Sequence, residues 1–232
     1  MLLRHPPRPG DPARRPARPF HEAAASDRPI VGVLAIQGDV SEHAAALEGA
    51  GAAPRWVKRP EDLDAVAGLV LPGGESTTLR RLLDYEGLLE RVKERYAEGM
   101  PVFGTCAGAI LLATEVVGAP APHLSLVPMT VQRNAFGRQR ESFVADLGVT
   151  GLEGGPLRAV FIRAPVIERV GPGVNVLAMV EGGIVLAETR QALVASFHPE
   201  LTPDLRLHRR FLLKIGSPSE SVGNRWPGTR SG

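Results

Sequence analysis

The sequence predicts an α/β fold, a three-layer sandwich around a mostly parallel central sheet. Three observations carry that expectation. Short apolar runs without polar alternation recur through the first half, most of them end in a glycine-bearing turn, and helix-like periodicity separates them. Ile30 to Ile36 is almost continuously apolar, as a parallel strand covered on both faces requires. A helix is expected from about Val40 to Ala50, with Gly51 closing it. Arg55 to Lys58 reads as a short strand, and Gly68 to Leu71 as another, running into Pro72-Gly73-Gly74. Leu88 to Glu98 has helical periodicity up to Gly99. Pro101 to Gly104 is a further buried strand, with a helix beginning just beyond Cys106.

The second half reads differently. Arg158 to Ile162, Val174 to Val180, Gly183 to Glu188 and Ala192 to Phe197 alternate with tight turns, an antiparallel signature, before a last helix from about Pro203 to Ile215. Strands alternating with helices in the first half favour the parallel sheet, whose ligand sites lie outside the carboxyl ends of the strands.

At 232 residues the chain is long enough for one domain with a real core, and its 5% aromatic content leaves aliphatic residues to fill it. The domain is expected over residues 30–215. Residues 1–29 carry seven prolines and six arginines and read as a disordered extension. Residues 216–232, rich in Gly, Ser and Pro, read as a flexible tail. Arg14-Arg15 has no apolar stretch of signal-peptide length behind it, so export is not expected. The net charge of +2 belongs to the extension: its six arginines exceed its three acidic residues by three, which leaves −1 for the rest. The basic pI therefore gives no reason to expect nucleic acid, and no apolar run is long enough to suggest a membrane span. One cysteine excludes an internal disulfide and fits a reducing, cytoplasmic compartment.

That cysteine lies in Gly104-Thr105-Cys106-Ala107-Gly108, the glycine-flanked elbow that holds a nucleophile between a buried strand and a helix. Side chains in place of the glycines would collide with strand and helix, and the helix N-terminus favours a thiolate. A buried, inert cysteine is the alternative for such a residue in isolation. Ser196-Phe197-His198-Pro199-Glu200 follows an apolar strand. Residues two apart in an extended segment share a side, so His198 and Glu200 are expected to face one cleft, as base and orienting carboxylate for Cys106. Gly73-Gly74 after another buried strand lets backbone N–H groups approach a ligand. The N–H groups of Gly74 and Ala107 are the expected oxyanion hole.

Together these segments resemble the class I (triad) glutamine amidotransferases. Leu34 to Val40 with Glu42-His43, Lys58 to Glu61, Leu71 to Thr78, Gln132 to Gln139 and Phe161 to Pro165 narrow the resemblance to the glutaminase subunits of pyridoxal 5′-phosphate synthase. It spans roughly residues 30–215; the N-terminal extension is not usual in that family. The resemblance implies a flavodoxin-like, class I amidotransferase fold and hydrolysis of L-glutamine to L-glutamate and ammonia, without cofactor or metal. It implies glutamine held by Gly74, Glu75, Ser76, Arg133, Ile162 and Arg163, with Gln37-Gly38 in a loop near the site and the partner interface. It also implies delivery of ammonia to a (β/α)8-barrel synthase subunit, whose docking completes the oxyanion hole. Read from the residues alone, Arg133 and Arg163 could equally be surface arginines.

Three alternatives stay open on sequence: a glutaminase feeding another synthase, a non-catalytic regulatory relative, and a cysteine peptidase or chaperone-like hydrolase on the same elbow. His43 reads as structural or solvated, or as part of a partner surface. His123 and His208 lack Cys or His companions at metal-ligand spacing, so no zinc site is expected.

Overall fold

The structure, a computed structural model, describes residues 28–119, 124–133 and 142–216. The expectations for residues 1–27 and 217–232, for His123 and for the motif residues Asn134 to Gln139 lie outside the described residues.

In chain order the first half comprises β1 (Ile30–Leu34), α1 (Val40–Ala50), β2 (Ala53–Val57), a 3-10 turn (Pro60–Ala65), β3 (Gly68–Leu71), α2 (Ser76–Tyr85), α3 (Leu88–Ala97), β4 (Val102–Thr105) and α4 (Ala107–Leu112). The second half comprises β5 (Ala113–Val116), β6 (Val127–Gln132), β7 (Ser142–Leu147), β8 (Leu157–Ile162), β9 (Val166–Val170), β10 (Asn175–Val180), β11 (Gly183–Glu188), β12 (Ala192–Ala195), a 3-10 turn (Pro199–Leu201) and α5 (Arg206–Ile215).

Five strands form the parallel heart of the sheet in the order β2-β1-β3-β4-β12. From β12 the sheet continues antiparallel through β11, β9 and β6, then ends on β5, which runs parallel to β6. β10 pairs with β11 off this path, and β7 with β8 makes a separate antiparallel ribbon. The last expected strand is therefore antiparallel on one side only. β12 runs against β11 but along β4, with Ala192 opposite Val102 and Ala195 opposite Thr105. It returns the chain to the centre of the sheet.

Alternating side chains of the central strands build two cores. Leu69, Leu71, Val102 and Val194 pack on the face covered by α2, α3 and α4. Val31, Val33, Val70, Phe103, Leu193 and Ala195 pack on the other, against Leu47 of α1 and Leu207 and Phe211 of α5. This makes the three layers that the apolar runs predict, since a strand buried on both faces has no polar positions to spare.

The helix α2 has no counterpart in the sequence reading. Ser76-Thr77-Thr78 is a poor helix start by propensity. The Glu75 carboxylate overrides this by accepting the backbone N–H groups of Thr77 and Thr78, which lack partners inside the helix. Leu79, Leu82 and Leu83 at helical spacing are the signal that could have revealed it.

Phe211 is fully buried and its ring lies 5.6 Å from that of Phe103. Phe211→Ala should lower the unfolding free energy by about 3–5 kcal/mol. The measurement is a shift of the denaturant midpoint at unchanged slope. A loss below about 1 kcal/mol would mean that α5 is not part of the cooperative core.

Candidate active site

Four parallel strands end at one edge, and each delivers part of a single cleft. β1 leads to Asp39, β3 to Gly74, Glu75 and Ser76, β4 to Cys106 and Ala107, and β12 to His198. Ile162 and Arg163 arrive from the end of β8, Arg133 from the end of β6, and Ile110 from α4. The cleft measures about 300 Å³, the small end of the range for ligand sites and suited to an amino-acid-sized molecule.

Cys106 sits at the turn from β4 into α4 with φ 48° and ψ −105°, a backbone conformation that non-glycine residues rarely adopt. Such strain costs on the order of 1–3 kcal/mol and persists only where the surroundings enforce it. The Cys106 amide donates to the Ala195 carbonyl at 2.9 Å, and the two flanking glycines allow the close packing. A Cβ on Gly108 would lie 2.0 Å from the Leu71 carbonyl oxygen, and one on Gly104 would meet the Gly108 backbone at 2.8 Å. The sulfur is buried and lies 3.8 Å from the Ile162 carbonyl oxygen.

His198 and Glu200 come together by a different route from the expected one. The strand stops at Ala195, and Pro199 to Leu201 form a 3-10 turn, so turn curvature rather than strand alternation brings the two side chains together. Nδ1 of His198 donates to Glu200 Oε1 at 2.7 Å. Only His198 lines the cleft; Glu200 lies buried behind it. The backbone N–H of His198 is tied to the Val160 carbonyl at 2.9 Å. Burial pulls the His198 pKa down, but the Cys106 sulfur and the Glu200 carboxylate outweigh it and push the value up to about 10. Burial raises the pKa of Glu200, against the opposing pull of His198.

Asp39 adds a second carboxylate at the same nitrogen, with Oδ2 3.2 Å from His198 Nδ1. Asp39, His198 and Glu200 bring one ligand atom each within 4.8 Å of one another, a spacing that a metal ion could use. The Nδ1 that such an ion would need carries the proton donated to Glu200, so the arrangement as it stands fits an oriented imidazole better than a metal ligand.

The remaining expected residues divide. Glu75 lines the cleft, yet its carboxylate is engaged by the Thr78 hydroxyl and by the N–H groups of Thr77 and Thr78. The Thr78 hydroxyl, foremost among these, holds its pKa down at about 2. Arg133 reaches it only at 4.0 Å, an exposed contact worth little. Arg133 and Arg163 leave positive charge facing the cleft, where a carboxylate ligand can pair with it.

His43 is not at the surface. It is fully buried, between Thr105 at 3.0 Å, Glu200 at 3.3 Å and His208 at 3.2 Å. His208 is likewise fully buried. Sequence reading missed this pair because residues 165 positions apart meet only in the fold.

An elbow cysteine, an adjacent imidazole and a buried carboxylate at the carboxyl edge of a parallel sheet define a class of nucleophilic hydrolase. The model of the SNO glutamine amidotransferase family matches residues 33–217, and the chain belongs to that family. The pyridoxal 5′-phosphate synthase subunit PdxT of Nocardia farcinica is 53% identical over 208 residues, covering 87% of this chain and 92% of that protein. PdxT of Geobacillus kaustophilus is 56% identical over 182 residues, covering 78% and 92%. A crystal structure of a glutamine amidotransferase superposes with a TM-score of 0.77 at 50% identity, over 81% of this chain and 99% of that one. The structure of PurLQS from Thermotoga maritima, at 18% identity and a TM-score of 0.58 over 81% of this chain and 97% of that one, shares the fold. The fold and the family resemblance read from the motifs are both borne out.

A group whose folded pKa is raised contributes stability that is fully present below its unfolded value, about 6.5, and is lost as pH rises through about 10. By NMR titration His198 should hold its proton at pH 8 in the wild type. In Cys106→Ala it should lose that proton at a lower pH, because one of the two raising partners is gone. An unshifted titration would show that the sulfur and the imidazole are not coupled.

Proposed function

We propose that this chain hydrolyses L-glutamine to L-glutamate and ammonia, and delivers the ammonia to the synthase subunit of pyridoxal 5′-phosphate synthase, a (β/α)8 barrel. The observation that carries the reading is the strained Cys106 elbow, sharing one amino-acid-sized cleft with a His198 that Glu200 orients. Its identity to PdxT proteins, covering most of both chains, supports the assignment of the partner.

In this mechanism the Cys106 thiolate attacks the side-chain amide carbon, and the N–H groups of Gly74 and Ala107 receive the oxyanion. The His198 imidazolium gives its proton to the departing nitrogen, which leaves as ammonia, and a γ-glutamyl thioester remains. Neutral His198 then takes a proton from water while the oxygen attacks the thioester. Collapse releases the γ-carboxylic acid, which gives its proton to solvent to become glutamate, and restores the thiolate–imidazolium pair, so one water is consumed for each ammonia released. Glu200 stays ionised throughout and holds the imidazole with Nε2 toward the sulfur. Arg133 and Arg163 hold the substrate α-carboxylate, and Gly74, Glu75, Ser76 and the Ile162 backbone complete its pocket. No cofactor or metal enters these steps. A reducing cytoplasm keeps the thiol competent; among the described residues no helix is long and apolar enough to cross a membrane.

The test is glutamate release from L-glutamine, by the chain alone and with the synthase subunit. Activity should rise on adding the synthase and fall by at least about 10³-fold in Cys106→Ala. A wild type that stays silent beside a competent synthase would refute the pairing.

A further inference from the structure

Behind Glu200, on the side away from the cleft, lie two imidazoles that the proposed reaction does not use. His43 from α1 and His208 from α5 are both fully buried. Nδ1 of His43 faces Nε2 of His208 at 3.2 Å, and Nε2 of His43 faces Thr105 Oγ1 at 3.0 Å and Glu200 Oε2 at 3.3 Å. Burial, then the neighbouring charge of His208 and His198, holds the His43 pKa well below its usual value, and burial lowers that of His208 to about 4. Each ring is therefore neutral and carries one proton, and the geometry decides where.

Suppose His43 carried its proton on Nδ1. Its bare Nε2 would accept from the Thr105 hydroxyl, but the same lone-pair edge would lie 3.3 Å from the Glu200 carboxylate oxygen, two acceptors in contact. His208 would have to accept at Nε2 and would carry its own proton on Nδ1, an atom that is buried without a hydrogen-bond partner among the described residues. A buried unpaired N–H costs about 1–3 kcal/mol. With both protons on Nε2, His208 donates to His43, and His43 donates to Thr105 Oγ1 with Glu200 Oε2 at 3.3 Å from the same nitrogen. A bare lone pair on His208 Nδ1 and the rotatable Thr105 hydroxyl hydrogen are left over, but no imidazole lone pair lies against the carboxylate. Glu200 Oε2, buried and accepting no hydrogen bond among the described residues, then faces the positive edge of the His43 Nε2–H at 3.3 Å rather than a lone pair.

We propose that His43 is a positioning residue for Glu200. Locked as its Nε2–H tautomer by His208, it sets a polar N–H edge 3.3 Å from the carboxylate oxygen opposite to the one that orients His198, and so favours the ionised carboxylate in place. The chain of contacts runs from α5 through α1 to the catalytic turn, His208 to His43 to Glu200 to His198, and ends at Cys106. The proposal rests on the glutaminase reading of the site. The charged or titratable groups facing Glu200 are His198 on its own turn, His43 from α1 and Asp39 from the loop before α1, with Cys106 beyond His198 and His208 beyond His43.

Removing the His43 donor leaves the carboxylate harder to ionise, so His198 holds its proton less firmly. In the complex with the synthase subunit, His43→Leu should lower kcat by about tenfold to a hundredfold, short of the ~10⁴-fold cost of disabling a triad carboxylate itself. KM should stay within about twofold, because His43 does not line the cleft. The alkaline limb of the pH–rate profile should move to lower pH. His43→Gln, whose amide nitrogen reaches about where Nε2 lies, should restore both rate and profile. Equal loss in the two variants with an unmoved profile would reduce His43 to packing and overturn the proposal.

The ring-nitrogen NMR signals of ¹⁵N-histidine-labelled wild type decide the matter even if His43→Leu does not fold. Both His43 and His208 should be Nε2–H tautomers, and an Nδ1–H form of His43 would refute the proposal. A wild type inactive with the synthase would instead sink the glutaminase reading, while the tautomers would still judge the positioning.

Discussion

Gly108 packs against β3 so closely that a single methyl group in place of its hydrogen would lie 2.0 Å from the Leu71 carbonyl oxygen. That approach sets the start of α4 directly against the carboxyl end of β3. The register of the sheet then brings the neighbouring strand ends level, with Leu71 opposite Gly104 and Thr105 opposite Ala195. Cys106 is forced into a positive-φ turn at this crowded edge, and its amide is taken by Ala195. The remaining features of the cleft follow from where those strand ends lie. The Gly73-Gly74 turn must leave β3 beside the elbow, and the turn after β12 must place His198 across from the sulfur.

The electrostatics obey the same geometry. A carboxylate as deeply buried as Glu200 is costly unless its charge is matched by hydrogen bonds and an opposite charge. His198 supplies both on one side at 2.7 Å, and the cost is turned to use because the same charge holds a proton on the imidazole that faces Cys106. Glu75 is a contrasting case. Its carboxylate is exposed and saturated by the first turn of α2, so its charge is fixed by a helix cap rather than by a neighbouring imidazole.

Much of this was legible in the sequence. The parallel strands were visible because burial on both faces removes polar alternation, and the elbow was visible because close packing demands glycine at both flanks of Cys106. His198 and Glu200 could be paired because they are two residues apart, although a 3-10 turn rather than an extended strand joins them. What lay hidden depends on distance along the chain or on local chemistry that overrides propensity. Helix α2 begins on Ser-Thr-Thr and stands on the Glu75 cap. The parallel pairing of β12 with β4 joins segments about ninety residues apart, and no periodicity announces it. His43 looked like an ordinary residue on a helix face, because nothing near it in sequence says that His208 will lie 3.2 Å away.

The choice of histidine behind Glu200 has a physical logic of its own. A lysine or arginine at that place would have to be stripped of water, and its full charge would compete with His198 for the carboxylate. The imidazole of His198 would then sense a neutralised pair and would hold its proton less well. An apolar residue would avoid this but would leave a carboxylate oxygen in a dry interior with no donor, favouring the protonated acid. A neutral imidazole avoids both outcomes: it offers an N–H and adds no charge, so the full negative charge of Glu200 remains directed at His198. It needs its own second nitrogen satisfied, or the tautomer is undetermined. His208, itself kept neutral by burial, meets that need from a different helix.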